Sequence, residues 1–260
     1  LSQSTPAHLS VLNPDDLTEA CATVLCPEPS VTRLSAQGNA VYVVGLRTIF
    51  RYVWNESNKQ LKRDETWQAN LMTQAVGNTF AWDMVISKGE GWLMDNGHHK
   101  YLYTMQGAGV SPAANRLLRV NLHKAESVQS IEVSGMRAGS VTNPPLLIPD
   151  LHLVLAYDSA NSVLKAFRID GGAIEMVWTK QNFGCSSHMV YWQSTRTVWI
   201  NDYKRFREHV VALDPLTGQE RCRIPTPGRM QGVVFPCPGW DGDLYWVSMD
   251  QLARVYCKEP

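Results

Sequence analysis

Five polar residues stand at the head of five short apolar segments: Arg33, Asp83, Asn143, His188 and Gln231. His188 is the candidate for proton transfer, because imidazole is the side chain that titrates near neutrality without help. Asp83 is its candidate carboxylate partner. Arg33 carries a planar fork suited to an anionic substrate group, or to neutralising Asp83. Asn143 and Gln231 add amide groups that can donate to and accept from a ligand. A second polar set closes each segment: Asp95 with Asn96, Asp158 with Asn161, Asp202 with Tyr203, and Asp250. Asp83, Asn143, Asp158 and Asp202 form an oxygen-rich set of the kind that binds Ca²⁺.

Two readings of these residues stand side by side. In one, they line a water-filled channel and satisfy strand ends. In the other, converging polar groups over an apolar scaffold form a ligand or catalytic pocket. The catalytic signatures of other enzyme classes are missing: the chain has no GxSxG elbow, HExxH helix, P-loop or dinucleotide glycine fingerprint.

The elements that must position these residues repeat. Each opener leads into a short apolar strand, a turn and a second apolar strand: AVYVVG, GWLMDNG, LHLVLAYDSAN, TVWINDY and DLYWVSMD. Successive openers lie 50, 60, 45 and 43 residues apart. The long spacing contains an insertion at 98–114, and without it the period is about 45, the length of a four-stranded propeller blade. Third strands follow as TIFRYVWN, RLLRVNLH, VLKAFRIDGG, HVVALDPLTG and LARVYC, and fourth strands after the first four. Only Asp15 to Cys21 offers a turn or two of helical pattern. The expectation is an all-β propeller of antiparallel blades at about 29–70, 78–134, 139–180, 183–226 and 229–257. Residues 1–28 would complete the fifth blade; six or more blades follow if further strands lie outside these 260 residues. Since the first strand starts where the second ends, both polar sets belong to one mouth of the channel, with 98–114 above it as a lid.

Composition narrows the partners. Lys plus Arg and Asp plus Glu are 24 each, so no basic surplus exists to neutralise a phosphate backbone, and nucleic acid is excluded as the expected partner. No apolar run approaches the ~18 residues of a membrane helix. The chain is read as soluble, either cytoplasmic or exported after loss of a signal. The six cysteines lack the paired short spacings of a zinc site and are read as free thiols or disulfides.

The segment from Ala212 to Cys222, ALDPLTGQERC, resembles the AxDxxTGxxxW repeat of pyrroloquinoline-quinone-like propellers, with Cys222 at the tryptophan position. Looser echoes run from Asp170 to Trp178 and from Asn55 to Trp67. The resemblance implies a structural role, a turn closing a hairpin and a tryptophan packing between blades. It does not imply the quinone, since many proteins of this fold carry none. The openers and the loops after the second strands are also similar in placement to metal-binding residues of calcium-dependent propeller lactonases. Two functions follow: a small-molecule binder or enzyme at the channel mouth, such as a metal-assisted hydrolase or lactonase, or a non-catalytic scaffold for a protein partner.

Overall fold

Strand after strand in this chain is apolar on both faces, which only a stack of sheets can bury. The computed structural model describes residues 7–28, 34–71, 79, 81, 83–95, 114–137, 143–184, 188–226, 236–240, 242–247 and 251–256. Among them there is no helix; the segment at Asp15 to Cys21 forms turns and a single bridge between Leu12 and Glu19.

Six antiparallel sheets follow one another along the chain. β1 (His8–Leu9) and β2 (Val24–Leu25) make the first. Blade one holds β3 (Ser35–Gln37), β4 (Ala40–Val44), β5 (Thr48–Asn55) and β6 (Gln60–Asn70). Blade two holds β7 (Val85–Ser87), β8 (Glu90–Asp95), β9 (Ala114–Asn121) and β10 (Val128–Arg137). Blade three holds β11 (Leu146–Ile148), β12 (Leu153–Asp158), β13 (Val163–Arg168) and β14 (Glu175–Lys180). Blade four holds β15 (Val190–Trp192), β16 (Thr197–Lys204), β17 (Arg207–Leu213) and β18 (Glu220–Pro225). Blade five has three strands among the described residues: β19 (Cys237–Pro238), β20 (Leu244–Val247) and β21 (Leu252–Val255). The fold is a β-propeller of about five to six blades.

The core lies between the blades. β12 shows the rule: all six of its residues are buried, and their faces alternate. Val154 and Ala156 pack toward Trp92, Met94 and Leu117 of blade two, whereas Leu155 and Tyr157 pack toward Val198, Ile200 and Val211 of blade four. Equivalent clusters join blades one and two and blades four and five. The first sheet packs on blade one through Leu9 and Cys26 against Val43, Phe50 and Tyr52. β1 and β2 pair with each other, and no pairing of residues 7–28 with β21 occurs among the described residues. The first strands β3, β7, β11, β15 and β19 contact one another in that order, and the described openers Asp83, Asn143 and His188 stand ahead of β7, β11 and β15. Cys21, Cys26 and Cys222 are free thiols.

Candidate functional site

The strand registers make positions in different blades comparable. Counted from the first paired residue of the second strand (Ala40, Glu90, Leu153 or Thr197), the sixth position is Gly45, Asp95, Asp158 or Asp202. Sequence reasoning aimed these three carboxylates at a ligand. In the structure each is fully buried and held by protein donors. Asp95 takes the fork of Arg116 and the hydroxyl of Thr79, the latter at 2.8 Å. Asp158 accepts from Asn115 at 3.1 Å, from Ser134 and from the Asn161 amide group at 2.8 Å. Asp202 accepts the Gly184 N–H at 2.7 Å and pairs with Arg223 at 2.8 Å and Lys204 at 2.9 Å. Thr79, Ser134 and Gly184 all belong to the chain arriving from the preceding blade. The carboxylate therefore clamps incoming chain to the top of the next sheet, because a buried charge must find donors where they stand.

Blade one reaches the same result by another route. Gly45 occupies the aspartate position, and the Glu28 carboxylate comes in from the preceding segment to accept the N–H groups of Arg47 at 2.8 Å and Thr48 at 3.3 Å. A Cβ on Gly45 would stand 2.5 Å from Glu28 Oε2, so the glycine leaves the space that the glutamate fills.

Of the openers, Asp83, Asn143 and His188 fall within the described residues, ahead of β7, β11 and β15 on successive blades. Asp83 and His188 are half-buried. Asn143 is 8% exposed, and its Nδ2 is buried without a hydrogen-bond partner. Asn161 donates to Asp158, and Tyr203 donates its backbone N–H to Gly184 at 2.7 Å. Arg33, Gln231, Asn96, Asp250 and residues 98–113 of the insertion lie outside the described residues. Among the described residues no three His, Cys, Asp or Glu side chains gather around a point that a metal ion could fill. Asp158 and Asp202 are committed to protein donors on separate blades, so the expected four-residue set with Asp83 and Asn143 is not assembled as a group.

Two residues that sequence reasoning passed over stand beside the clamp aspartates at equivalent register. Asn115 and Glu208 are register-equivalent, each preceding the residue paired with the clamp aspartate of its own blade. Asn115 donates to Asp158 while its Oδ1 stays unpartnered. Glu208 is fully buried, takes one hydrogen bond from the Asn201 amide group, and leaves Oε2 unpartnered. Burial pushes its carboxyl above the usual range; the Asn201 bond opposes this, and the nearby Asp202 charge reinforces it. The signal for Glu208 was a lone carboxylate heading the apolar strand HVVAL.

Two hollows lie at the opposite end, by the turns that join first to second and third to fourth strands. One is floored by Trp92, Leu147 and Ile169 with Lys88 and His152 at its rim. The other is polar, bounded by Glu90, Arg119, Gln129 and Gly171. Arg119 closes part of it by donating to the Gly171 carbonyl at 2.8 Å.

The turn in ALDPLTGQERC explains itself structurally. Asp214 Oδ1 accepts the N–H groups of Leu216 at 2.9 Å and Thr217 at 3.1 Å. Gly218 has φ +70°, and its missing Cβ makes room for the Trp178 ring of blade three, which would stand 2.8 Å away. The Trp178 indole N–H donates to Pro215 O at 2.9 Å. The tryptophan that ends one repeat thus seals the turn of the next.

This chain resembles the quinoprotein-like propellers. Solved structures similar to it include a europium-containing methanol dehydrogenase (TM-score 0.51, 10% identity, 84% of this chain and 48% of that one). They also include the calcium-binding protein regucalcin from Agrobacterium tumefaciens (0.51, 15%, 88% and 72%). A third is the WD40 domain of coronin from Toxoplasma gondii (0.62, 9%, 94% and 60%). No family model and no curated protein sequence matches the chain. At these identities the likeness shows the propeller fold, which enzymes, ion binders and WD40 domains share. Among the described residues no helix is long and apolar enough to cross a membrane.

Proposed function

We propose that this propeller binds a small molecule at the mouth where Asp83, Asn143 and His188 open their blades, with Arg33 and Gln231 as the remaining members by repeat position. The observation that carries this reading is Asn143. A buried amide N–H left unpartnered costs stability, so a donor kept dry at a channel mouth is best explained by a ligand acceptor. Asn115 Oδ1 adds an unspent acceptor, and Glu208 Oε2 a further unpartnered oxygen on a carboxyl pushed toward its neutral form, on the same side of the molecule.

This mixture of donors and acceptors suits a neutral or singly charged polar molecule with hydroxyl or carbonyl groups. His188 would move a proton, Asp83 would orient or charge-balance it, and Arg33 would hold an anionic substituent, the division of labour of a hydrolase or lactonase. An oxygen-ligated cation such as Ca²⁺ would fall to Asp83 and Asn143, since Asp158 and Asp202 are occupied as clamps; the likeness to regucalcin supports a cation without locating one.

A thermal-shift screen with Ca²⁺, Mg²⁺, Zn²⁺, chelator and a panel of lactones and sugars tests the reading. A saturable rise in Tm is expected, abolished in Asn143→Ala and weakened in Asp83→Asn and His188→Ala. A panel that leaves wild type unmoved, or a shift that survives Asn143→Ala, overturns it. A second reading, a protein-interaction scaffold, is favoured by the last sheet, whose Trp240, Leu252 and Tyr256 are exposed.

A further inference from the structure

One tight turn departs from the chemistry of its counterparts. Three hairpins turn through two residues: Gly38–Asn39, Lys88–Gly89 and Arg205–Phe206. The first two contain a glycine, as a turn with left-handed backbone requires. Arg205 and Phe206 both carry a Cβ and both adopt positive φ, +52° and +60°. Each is a conformation that L side chains avoid, and Asn-Gly would supply it without strain.

The second departure is exposure. Phe206 is 85% exposed, the highest value among the large hydrophobic residues described. Its neighbours Arg205 and Arg207 are exposed and make no ion pair among the described residues. The base of the hairpin is held firmly. Lys204 pairs with buried Asp202 and lies 5.7 Å from the centre of the Phe183 ring. Strained backbone and a bare aromatic thus sit together on a rigid stem, at the same end of blade four as the His188 mouth. Neither serves the stability of the fold, and strain retained at an exposed tip points to use.

We propose that the Lys204–Arg207 hairpin is a docking finger for a protein partner, whose surface offers an apolar pocket for Phe206 rimmed by carboxylates for Arg205 and Arg207. Aromatic residues, phenylalanine among them, and arginine are enriched in protein interfaces relative to the rest of the surface. A bilayer is the weaker occupant. One phenyl ring and two cations give membrane affinity only in roughly the millimolar range, since stable anchoring takes more than one such signal.

The test starts from the double variant Arg205→Asn with Phe206→Gly. It should be folded and melt several degrees higher than wild type, because it relieves strain without touching the core. The full chain carrying benzophenylalanine at 206 is then irradiated in extract of the source cells, and the adduct is identified by mass spectrometry. The identified protein, produced separately, is titrated against wild type, Phe206→Ser, Arg205→Glu with Arg207→Glu, and the Asn-Gly variant. Kd should rise at least about tenfold in all three variants. The proposal fails if no adduct forms, or if Phe206→Ser binds the identified protein as wild type does. It fails equally if vesicles of phosphatidylcholine with one-fifth phosphatidylserine bind wild type at micromolar affinity and lose Phe206→Ser.

Discussion

Blade four has two faces of the same composition class and opposite finish. Toward blade three the polar groups are largely paired: Asp202 holds Gly184 and Arg223, Trp178 donates across to Pro215, and Lys180 reaches Glu220 at 3.0 Å, while His209 Nδ1, on the same strand face as Val211, is buried without a partner. Toward blade five, Trp192 donates to the Asp243 carbonyl at 3.0 Å, but Trp199 Nε1, Glu208 Oε2 and Trp246 Nε1 are buried without partners. Asp202 and Glu208 lie on adjacent strands of one hairpin, both fully buried, yet one is held by a backbone N–H and two cations and the other is driven toward the neutral form. The difference teaches that burial alone does not say what a carboxylate does; the donors on the facing blade decide it.

The largest effect that would break this contrast is Asp202→Ala. It leaves the Gly184 N–H unpartnered and removes one of the two carboxylates that hold Arg223, and should cost about 3 kcal/mol in urea unfolding. A cost below about 1 kcal/mol would mean that the clamp is decorative. Next comes Trp178→Phe, which keeps most of the ring against Gly218 but removes the bond to Pro215. About 1 kcal/mol is expected, with faster hydrogen exchange in the 215–219 turn and little change in β20.

The smallest and most diagnostic effect is in pH. Glu220 is held down to about 2 by its bond to Arg223, with burial opposing and Lys180 assisting. Its folded value is depressed, so its stabilisation is present above the normal carboxylate range and is lost as pH falls toward 2. Glu208 is raised by burial, so the folded state binds its proton more tightly and stability declines as pH rises from the unfolded value to the folded one. Glu220→Gln should therefore lower the urea midpoint at pH 7 and converge with wild type in strong acid. Glu208→Gln should match wild type at pH 4 and exceed it at pH 8. If both variants show the same pH slope, the two faces of blade four are not electrostatically distinct.

Much of this architecture was legible before any coordinate. Short apolar strands, turns rich in Gly, Asn and Asp, a period near 45 residues and the near-absence of helical pattern point to stacked four-stranded sheets, which bury a strand such as LVLAYD on both faces without helices. The aspartates that close the second strands were legible as a repeating position. Their destination was not. Sequence placed Asp95, Asp158 and Asp202 at equivalent ends of their second strands but could not tell that the chain entering from the previous blade would consume their lone pairs. Nor could it find Glu28, whose backbone donors Arg47 and Thr48 lie 19 and 20 residues away and whose place Gly45 leaves open without a side chain to announce the exchange.

The sequence by itself determined strand identity, repeat length and the polar residues that head and close the inner strands, because these depend on side-chain periodicity and turn chemistry within a few residues. Only the tertiary structure decided which polar atoms are spent and which are spare. Hydrogen-bond satisfaction is settled between blades, by donors and acceptors tens of residues apart. Asn143 Nδ2, Asn115 Oδ1 and Glu208 Oε2 stand out only once that accounting is complete.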